Sequence, residues 1–433
     1  MAEAEKVEVE VVIVGAGLAG LACAYHLAAA GLEVLVIERG DFPGSKNVTG
    51  GRLYLHPLRR FFPHLWEEAP LERHVTKERL TAMGEGSSVT VELSSERFKE
   101  KPYHSHTILR AKFDPWLAER AAQKGAIIVP KSRVDDLLWQ EGRVIGIVAS
   151  EAEIHADVVV AADGALSFMV EKAGLGKGRK PRDYAVGVKE VIELTSGVIE
   201  ERFGLGDGEG AAQLFFGSLT EGMFGGGFLY TNIDTISLGV VVGINALMEK
   251  EPGFELHRLL DSFKERPEVK PLIEGGHPVE YSAHIVPEGG LESMTQVYGH
   301  GILVVGDAAG LALNTGLIVR GMDFALASGA LAAQTIMEAK KRNDFSPASL
   351  SRYEELLKES FVLKGLETFR EMPRFLQNPR LFNLYPQALS ESLERLMWIG
   401  EEPKEKISTT LWREARRAFR LSAVRDLLRV WRI

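Results

Sequence analysis

The chain contains a single cysteine, Cys23, among 433 residues. One thiol excludes an internal disulfide, and it excludes an iron–sulfur cluster held by this polypeptide alone, because such clusters need several thiolates. Cys23 lies between Ala22 and Ala24, where it reads as a small packed residue rather than a reactive one. The 11 histidines show no zinc spacing, and His104 and His106 alternate as in a strand without an evident carboxylate partner, so no metal site is expected. Nothing resembles a nucleophile elbow or a catalytic triad. No uncharged apolar stretch reaches the roughly 18 residues of a spanning helix, so membrane contact is expected to be peripheral. Positive charge is not in excess: 51 Lys and Arg face 60 Asp and Glu, a net charge of -9, which argues against nucleic acid as a partner. Residues 1–10 carry four glutamates against one lysine, unlike a secretory signal, and the expected compartment is the cytoplasm.

What is present is glycine in a particular place. Residues 11–20 read Val-Val-Ile-Val-Gly-Ala-Gly-Leu-Ala-Gly, an apolar strand running into Gly15-x-Gly17-x-x-Gly20 and then a predicted helix. Gly15 permits a sharp turn, Gly17 leaves the backbone open to a pyrophosphate, and Gly20 lets the helix pack close to the strand. Leu18 and Ala19 lie at the start of that helix, whose free amides and positive end suit phosphate. Residues 32–37 supply a second strand, so Glu38 falls at its carboxyl end, where a carboxylate can accept both ribose hydroxyls. Far along the chain, residues 301–310 read Gly-Ile-Leu-Val-Val-Gly-Asp-Ala-Ala-Gly, a further strand ending in Gly306-Asp307. A nicotinamide dinucleotide has no use for that strand, whereas FAD needs contacts beyond its pyrophosphate.

Strands and helices alternate up to about residue 170. Leu109-Arg110-Ala111-Lys112-Phe113-Asp114-Pro115-Trp116 reads as a helix start with Asp114 as cap, Pro115 in the first helical position and Gly125 past the end. Residues 158–162 form a strand ending in Asp163-Gly164. Residues 184–284 change to strand-like alternation with glycine breaks, interrupted by a helix near 254–264, which suggests an antiparallel sheet. The expected fold class is α/β. A Rossmann-like FAD-binding domain is assembled from residues 1–75, 105–180 and 285–345; an antiparallel-sheet substrate domain occupies 76–104 and 181–284; a helical region follows over 346–433.

The glycine motif, Asp163-Gly164 and Gly306-Asp307 together resemble the glutathione-reductase-type FAD fold as used by para-hydroxybenzoate-hydroxylase-like flavoproteins. More specific are Pro43-Gly44-Ser45-Lys46-Asn47-Val48-Thr49-Gly50-Gly51-Arg52-Leu53-Tyr54, the stretch from Leu109 to Asp114, and Val319-Arg320-Gly321-Met322-Asp323. These resemble the electron-transfer flavoprotein:quinone oxidoreductases, in particular the shorter bacterial FixC-type subunit, and the resemblance covers nearly the whole chain. It implies FAD as cofactor and redox centre, with no catalytic side chain. Gly15, Gly17, Leu18, Ala19 and Gly20 would take the pyrophosphate, Glu38 with Arg39 the adenosine ribose, Arg110 the phosphate and ribityl region, Val134 the adenine, and Gly306 with Asp307 the ribityl chain. Asp163 and Gly164 either touch the cofactor or only make their turn, and Arg110 has the plain alternative of a surface ion pair. Lys46, Asn47, Thr49 and Gly50 reach the flavin ring or the adjoining pocket, unless they form an ordinary polar loop. Residues 314–323, with Gly316, Arg320, Gly321 and Met322, form a loop leading into an apolar helix over 324–337. The amino end of that helix can face the flavin pyrimidine and stabilise reduced states. Alternatively, Gly321 merely breaks the helix and Asp323 caps it.

The same resemblance implies electrons arriving from an electron-transfer flavoprotein, of α and β subunits, and leaving to a membrane quinone. Longer members carry a four-iron cluster on cysteines absent here, so a separate small ferredoxin-like iron–sulfur subunit is expected, in a complex that can bifurcate electrons. Rival readings are an NADPH-dependent flavin monooxygenase, a geranylgeranyl-reductase-like prenyl reductase, and a membrane-docking scaffold with structural FAD. Residues 411–433 hold seven arginines against two acids, a local charge of +5, with Trp412, Ala415, Phe419, Leu427 and Trp431 near one helical face. Such a basic amphipathic segment suits anionic lipid headgroups, an acidic partner or the protein's own acidic body. The expected location is therefore peripheral, on the inner face of the cell membrane. Phe369, Met372, Phe375, Leu376, Leu381, Phe382, Leu384 and Tyr385 form either a cap over the quinone opening or plain core. The quinone is expected between the FAD domain and the second sheet, near residues 224–228.

Overall fold

The computed structural model describes residues 7–47, 51–178 and 180–401, with 404, 406, 408, 409, 412, 413 and 426 of the tail. Val7–Val14 becomes the central strand of the first sheet because its last four residues are apolar on both faces and buried on both. It lies parallel to Ala152–Ala161 on one side and Val34–Ile37 on the other; Ile302–Val304 and Ile127–Val129 extend the parallel set. The hairpin Val134–Gln140 with Arg143–Ala149 hangs antiparallel from Ala152–Ala161. Leu18–Ala29 and the long helix Met322–Arg342 belong to the same core, backbone against backbone: a Cβ on Gly329 would lie 2.1 Å from the Ala19 carbonyl oxygen. Cys23 is buried in that core, and burial pushes its thiol pKa up, so it is inert as a nucleophile.

The second sheet has the order His277–Pro287, Tyr184–Glu193, Thr235–Gly243, Gly225–Thr231, Glu209–Gly217, Leu71–Met83, Ser105–Ile108 and Gly51–Tyr54, with Ser88–Ser94 branching from Leu71–Met83. It is antiparallel apart from Glu209–Gly217, which runs parallel to Leu71–Met83. Val188, Leu229, Val240 and Val242 point to one face and form a second core with Leu260 and Phe263 of the helix Leu256–Lys264. The opposite face is turned to the first domain.

Sheet membership departs from the expected boundaries. Gly51–Tyr54 and Ser105–Ile108 pair with each other and join the second sheet, Leu71–Met83 starts before residue 76, and His277–Pro287 runs past 284. Apolar alternation reveals a strand but not the neighbour it hydrogen-bonds. The helix expected to start at Asp114 instead spans Arg110–Gln123, with Leu109 at its N-cap and Pro115 inside. Asp114 cannot cap because its carboxylate is occupied by Arg110, at 2.6 and 2.7 Å, and by Asn47 at 2.8 Å. The apolar helix begins at Met322, with Gly321 as N-cap; Asp323 provides no cap and bonds Arg320.

Buried ionic groups fasten the pieces. Arg73, 1% exposed, donates to Glu200 Oε1 at 2.8 Å, to the Asn232 carbonyl at 2.6 Å and to Ser196 Oγ at 2.6 Å, tying Leu71–Met83 to the helix Ser196–Phe203. At the other end, Asp426 is buried against the C-terminal helices. It accepts bonds from Asn378 Nδ2 and Arg380 Nε at 2.8 Å and from the Tyr385 hydroxyl at 2.6 Å. Burial works against its ionised form, but these three donors outweigh burial and bring its pKa down to about 2. Apart from the seven positions named above, the tail from residue 402 lies outside the described residues.

Because the folded pKa of Asp426 lies below the roughly 3.9 of an unfolded aspartate, its stabilisation is complete above about pH 4 and lost as pH falls toward 2. Asp426→Ala is expected to cost ~1–3 kcal/mol at pH 7. Urea titrations of both proteins across acid pH should show that difference vanish at the acid end; a constant difference refutes the assignment.

Candidate active site

The carboxyl ends of Val7–Val14, Ala152–Ala161 and Ile302–Val304 open on one side of the first sheet, where loops meet rather than helices pack. Between these loops and the second sheet lies a cavity of about 1270 Å³. Of the residues singled out in the sequence, Gly15, Gly17, Leu18, Ala19, Glu38, Arg39, Lys46, Asn47, Arg110, Val134, Asp163, Gly164, Asp307, Gly316, Arg320, Gly321 and Met322 line it. Gly20 and Gly306 stand behind the wall: a Cβ on Gly20 would lie 2.1 Å from the Gly15 oxygen, and one on Gly306 would lie 2.8 Å from Ala19 Cβ. Both are packing positions. Thr49 and Gly50 lie outside the described residues.

Gly15 turns the chain with φ +105°, and its missing Cβ would sit 2.4 Å from the Ala162 oxygen, so only glycine fits. Gly17 has nothing within 4 Å of a Cβ position, which leaves backbone open to the cavity. Glu38, 8% exposed, accepts the Ala16 N–H at 2.8 Å on one oxygen and the Gly40 N–H at 2.6 Å on the other. The carboxylate is thus fixed at the strand end by the turn it adjoins.

Arg110 is held by Asp114 through Nε and Nη2, an ion pair that orients the guanidinium at the cavity wall. Asp163 does make its turn: it accepts the Ser167 hydroxyl at 2.5 Å and the Phe168 and Met169 amides at 2.9 and 3.2 Å. Burial raises its pKa and these bonds oppose the rise. Asp307 is likewise raised by burial, against the nearby charge of Arg110. Arg320 bonds Asp323, with Nε at 2.8 Å, and its guanidinium carbon lies 4.7, 5.0 and 5.7 Å from the ring centres of Phe324, Phe361 and Tyr54. A fixed cation therefore stands beside the start of the helix Met322–Arg342.

The other end of the cavity is apolar. Phe224 meets Phe382 edge to face at 5.8 Å, Phe228 stacks on Tyr230 at 5.3 Å, and Met372, Phe375, Leu376 and Leu381 close that side. The aromatic C-terminal stretch, read as either cap or core, divides: these five residues line the cavity, Phe369 packs on the first core, Tyr385 holds Asp426 and Leu384 is exposed. Sequence reasoning missed Leu80, Leu214, Tyr230, His284 and Glu288 as lining residues. The run Pro287-Glu288-Gly289-Gly290, an acid in a turn signal closing a strand, was the available clue to Glu288. Among the described residues, no three His, Cys, Asp or Glu side chains gather as a metal site.

Comparison with known proteins gives three family matches along the chain. A family described as FAD dependent oxidoreductase matches residues 10–95, ETF-QO, ubiquinone-binding, matches 184–286, and the ETF-QO/FixC family C-terminal domain matches 372–433. Two Escherichia coli K12 proteins, a probable electron transfer flavoprotein-quinone oxidoreductase, YdiS, and Protein FixC, are each 43% identical over 96% of this chain and 97% of their own. Among solved structures, a geranylgeranyl bacteriochlorophyll reductase-like protein from Thermoplasma acidophilum superposes with TM-score 0.73 at 24% identity, covering 95% of this chain and 96% of its own. The flavin-dependent brominase Bmp2 superposes with TM-score 0.63 at 16% identity over 90% of both. These two share the fold.

The residues present fit FAD. An open backbone face at Gly17, an oriented carboxylate at Glu38, a guanidinium at Arg110 and a glycine-capped helix start at Gly321 are the groups that pyrophosphate, ribose and flavin ring call for. Glu38→Ala removes a charged acceptor and is expected to weaken FAD binding about tenfold or more. Fluorescence titration of flavin-stripped protein measures this, and an unchanged dissociation constant would place the ribose elsewhere. In sequence over nearly its full length, the chain belongs to the FixC-type family of FAD-dependent electron-transfer flavoprotein:quinone oxidoreductases.

Proposed function

We propose that this protein takes electrons from an electron-transfer flavoprotein and delivers them to a membrane quinone. The observation that carries the reading is one continuous cavity with glycine loops and charged groups at one end and an aromatic wall at the other. The relatives' names and the ubiquinone-binding family match over residues 184–286 support it. Bound FAD supplies reversible uptake of one or two electrons.

The protein's own residues have positioning tasks. The amides at Gly17, Leu18 and Ala19 face the pyrophosphate, Glu38 and Arg39 the adenosine, Val134 the adenine, and Arg110 and Asp307 the ribityl region. Lys46 and Asn47 stand toward the ring. Arg320, clamped by Asp323 and three aromatic rings, holds the loop at the helix start at Gly321 and Met322, whose positive end would suit the charge of a reduced cofactor. The aromatic end, too apolar for a charged substrate, suits a quinone head and its prenyl tail.

A separate iron–sulfur subunit completes the chain of carriers, because one buried cysteine cannot hold a cluster. Electron bifurcation, where it occurs, belongs to the wider complex. No described helix is long and apolar enough to cross a membrane. Met397, Trp398 and Ile399 are 72–79% exposed and precede the basic segment 411–433 in sequence, a combination that favours docking on an anionic lipid surface.

Mixing the purified complex with reduced electron-transfer flavoprotein should bleach the FAD and then reduce a soluble quinone analogue. An inert flavin sinks the reading, whereas bleaching by NADPH followed by oxygen uptake or double-bond reduction favours a monooxygenase or prenyl reductase. No flavin reduction at any accessible potential leaves only a structural cofactor. Protein ending before Leu411 should fail to float with anionic liposomes that carry the full chain, and equal flotation excludes the tail as anchor.

A further inference from the structure

Glu288 is a cavity-lining acid outside the set of groups assigned to the cofactor. It follows the last residue of the strand His277–Pro287 and lines the cavity, deep in the molecule with part of its surface open to the lumen. Its side-chain partner is Asn314, whose Nδ2 donates to Glu288 Oε2 at 3.1 Å from the loop that leads to Arg320 and the helix start. Asn314 is itself fixed, accepting the Gly316 N–H at 2.8 Å. Leu376 packs within 3.4 Å of the Gly316 Cβ position and Pro373 within 2.8 Å of that of Gly290, so the C-terminal wall of the aromatic end closes against the same corner. The other acids lining the cavity, Glu38, Asp135, Asp163 and Asp307, all come from the first sheet's strands and loops. Glu288 is the acid at the junction of the polar and apolar ends.

We infer that Glu288 is the proton donor to the quinone, a role that rests on the quinone reading above. Converting a quinone to its hydroquinone takes up two electrons and two protons. Oxidation of an anionic reduced flavin ring releases two electrons and the proton on N5, so one proton is outstanding. Glu288 gives it: its O–H bond breaks as an O–H bond forms on a quinone oxygen, and water entering the cavity reprotonates the carboxylate. The acid suits the task because burial raises its pKa to about 7, with the Asn314 bond opposing. The charged and titratable groups on the surrounding elements, Asp183, Tyr184, His284, Arg320 and Arg374, do not contribute to that balance.

The test uses photoreduced holoprotein mixed with a short-chain quinone or with ferricyanide, which accepts electrons without protons. Wild-type flavin reoxidation by quinone should slow as pH rises through about 7, the pH at which Glu288 loses its proton. Glu288→Gln should slow reoxidation by quinone roughly 100-fold and flatten that profile, leaving reoxidation by ferricyanide unchanged, and Glu288→Asp should recover part of the rate. An infrared difference between wild type and Glu288→Gln, taken on oxidised protein without quinone, should contain a protonated-carboxyl band that fades through the same pH range. A Glu288→Gln protein with wild-type rate and profile, equal slowing with both oxidants, or no such band overturns the role. Wild-type protein that ferricyanide reoxidises and quinone does not overturns the quinone reading itself, and this inference with it.

Discussion

The bond pair at Glu38 is the constraint on which the site rests. Its carboxylate reaches across from the end of the second strand and takes the amides of Ala16 and Gly40, fixing the first turn of the chain to the second. Gly15 can only follow that path because it lacks a side chain that would strike Ala162. A parallel sheet delivers every strand's carboxyl end to the same side, so once this turn is set, Asp163 and Asp307 arrive beside it by connectivity alone. The glycine-loop end of the cavity is therefore polar.

The apolar end is built by different means. The second sheet contributes a glycine-broken strand carrying Phe228 and Tyr230, and the C-terminal helices contribute Met372, Phe375 and Leu376. Neither wall has a complete partner within its own sequence region; each is apolar because the other covers it. The hairpin from Leu313 to Arg320 lies between the two chemistries, with Asn314 turned to Glu288 and Arg320 to the helix start. The Glu288–Asn314 pair, the Arg320–Asp323 pair and the C-terminal wall at Leu376 are thereby brought to one corner.

Much of this was legible beforehand. The strand–glycine–helix unit and the strand ending at Gly306-Asp307 are readable because a two-face-buried strand has a plain apolar signature and because phosphate needs bare backbone. Asp114 misled, since a residue ahead of proline looks like a cap until an arginine four positions earlier claims its carboxylate. The short strands Gly51–Tyr54 and Ser105–Ile108 fall within the ranges expected for the first domain yet pair into the second sheet, because two or three alternations fit either edge. Asp163 proved to serve its own turn while also lining the cavity, a double role that local sequence does not separate.

Sequence by itself determined the cofactor class, the inability of this chain alone to hold an iron–sulfur cluster and the order of strands and helices, because each depends on local composition: glycines, a missing set of thiols, the period of apolar residues. Tertiary structure alone decided which polar groups share a cavity and how they are tuned. Glu288 acquires its character from burial at a corner made by a strand, a hairpin and a helix that lie up to 88 residues apart. Burial is a property of everything packed around a group, and no stretch of neighbours along the chain encodes it.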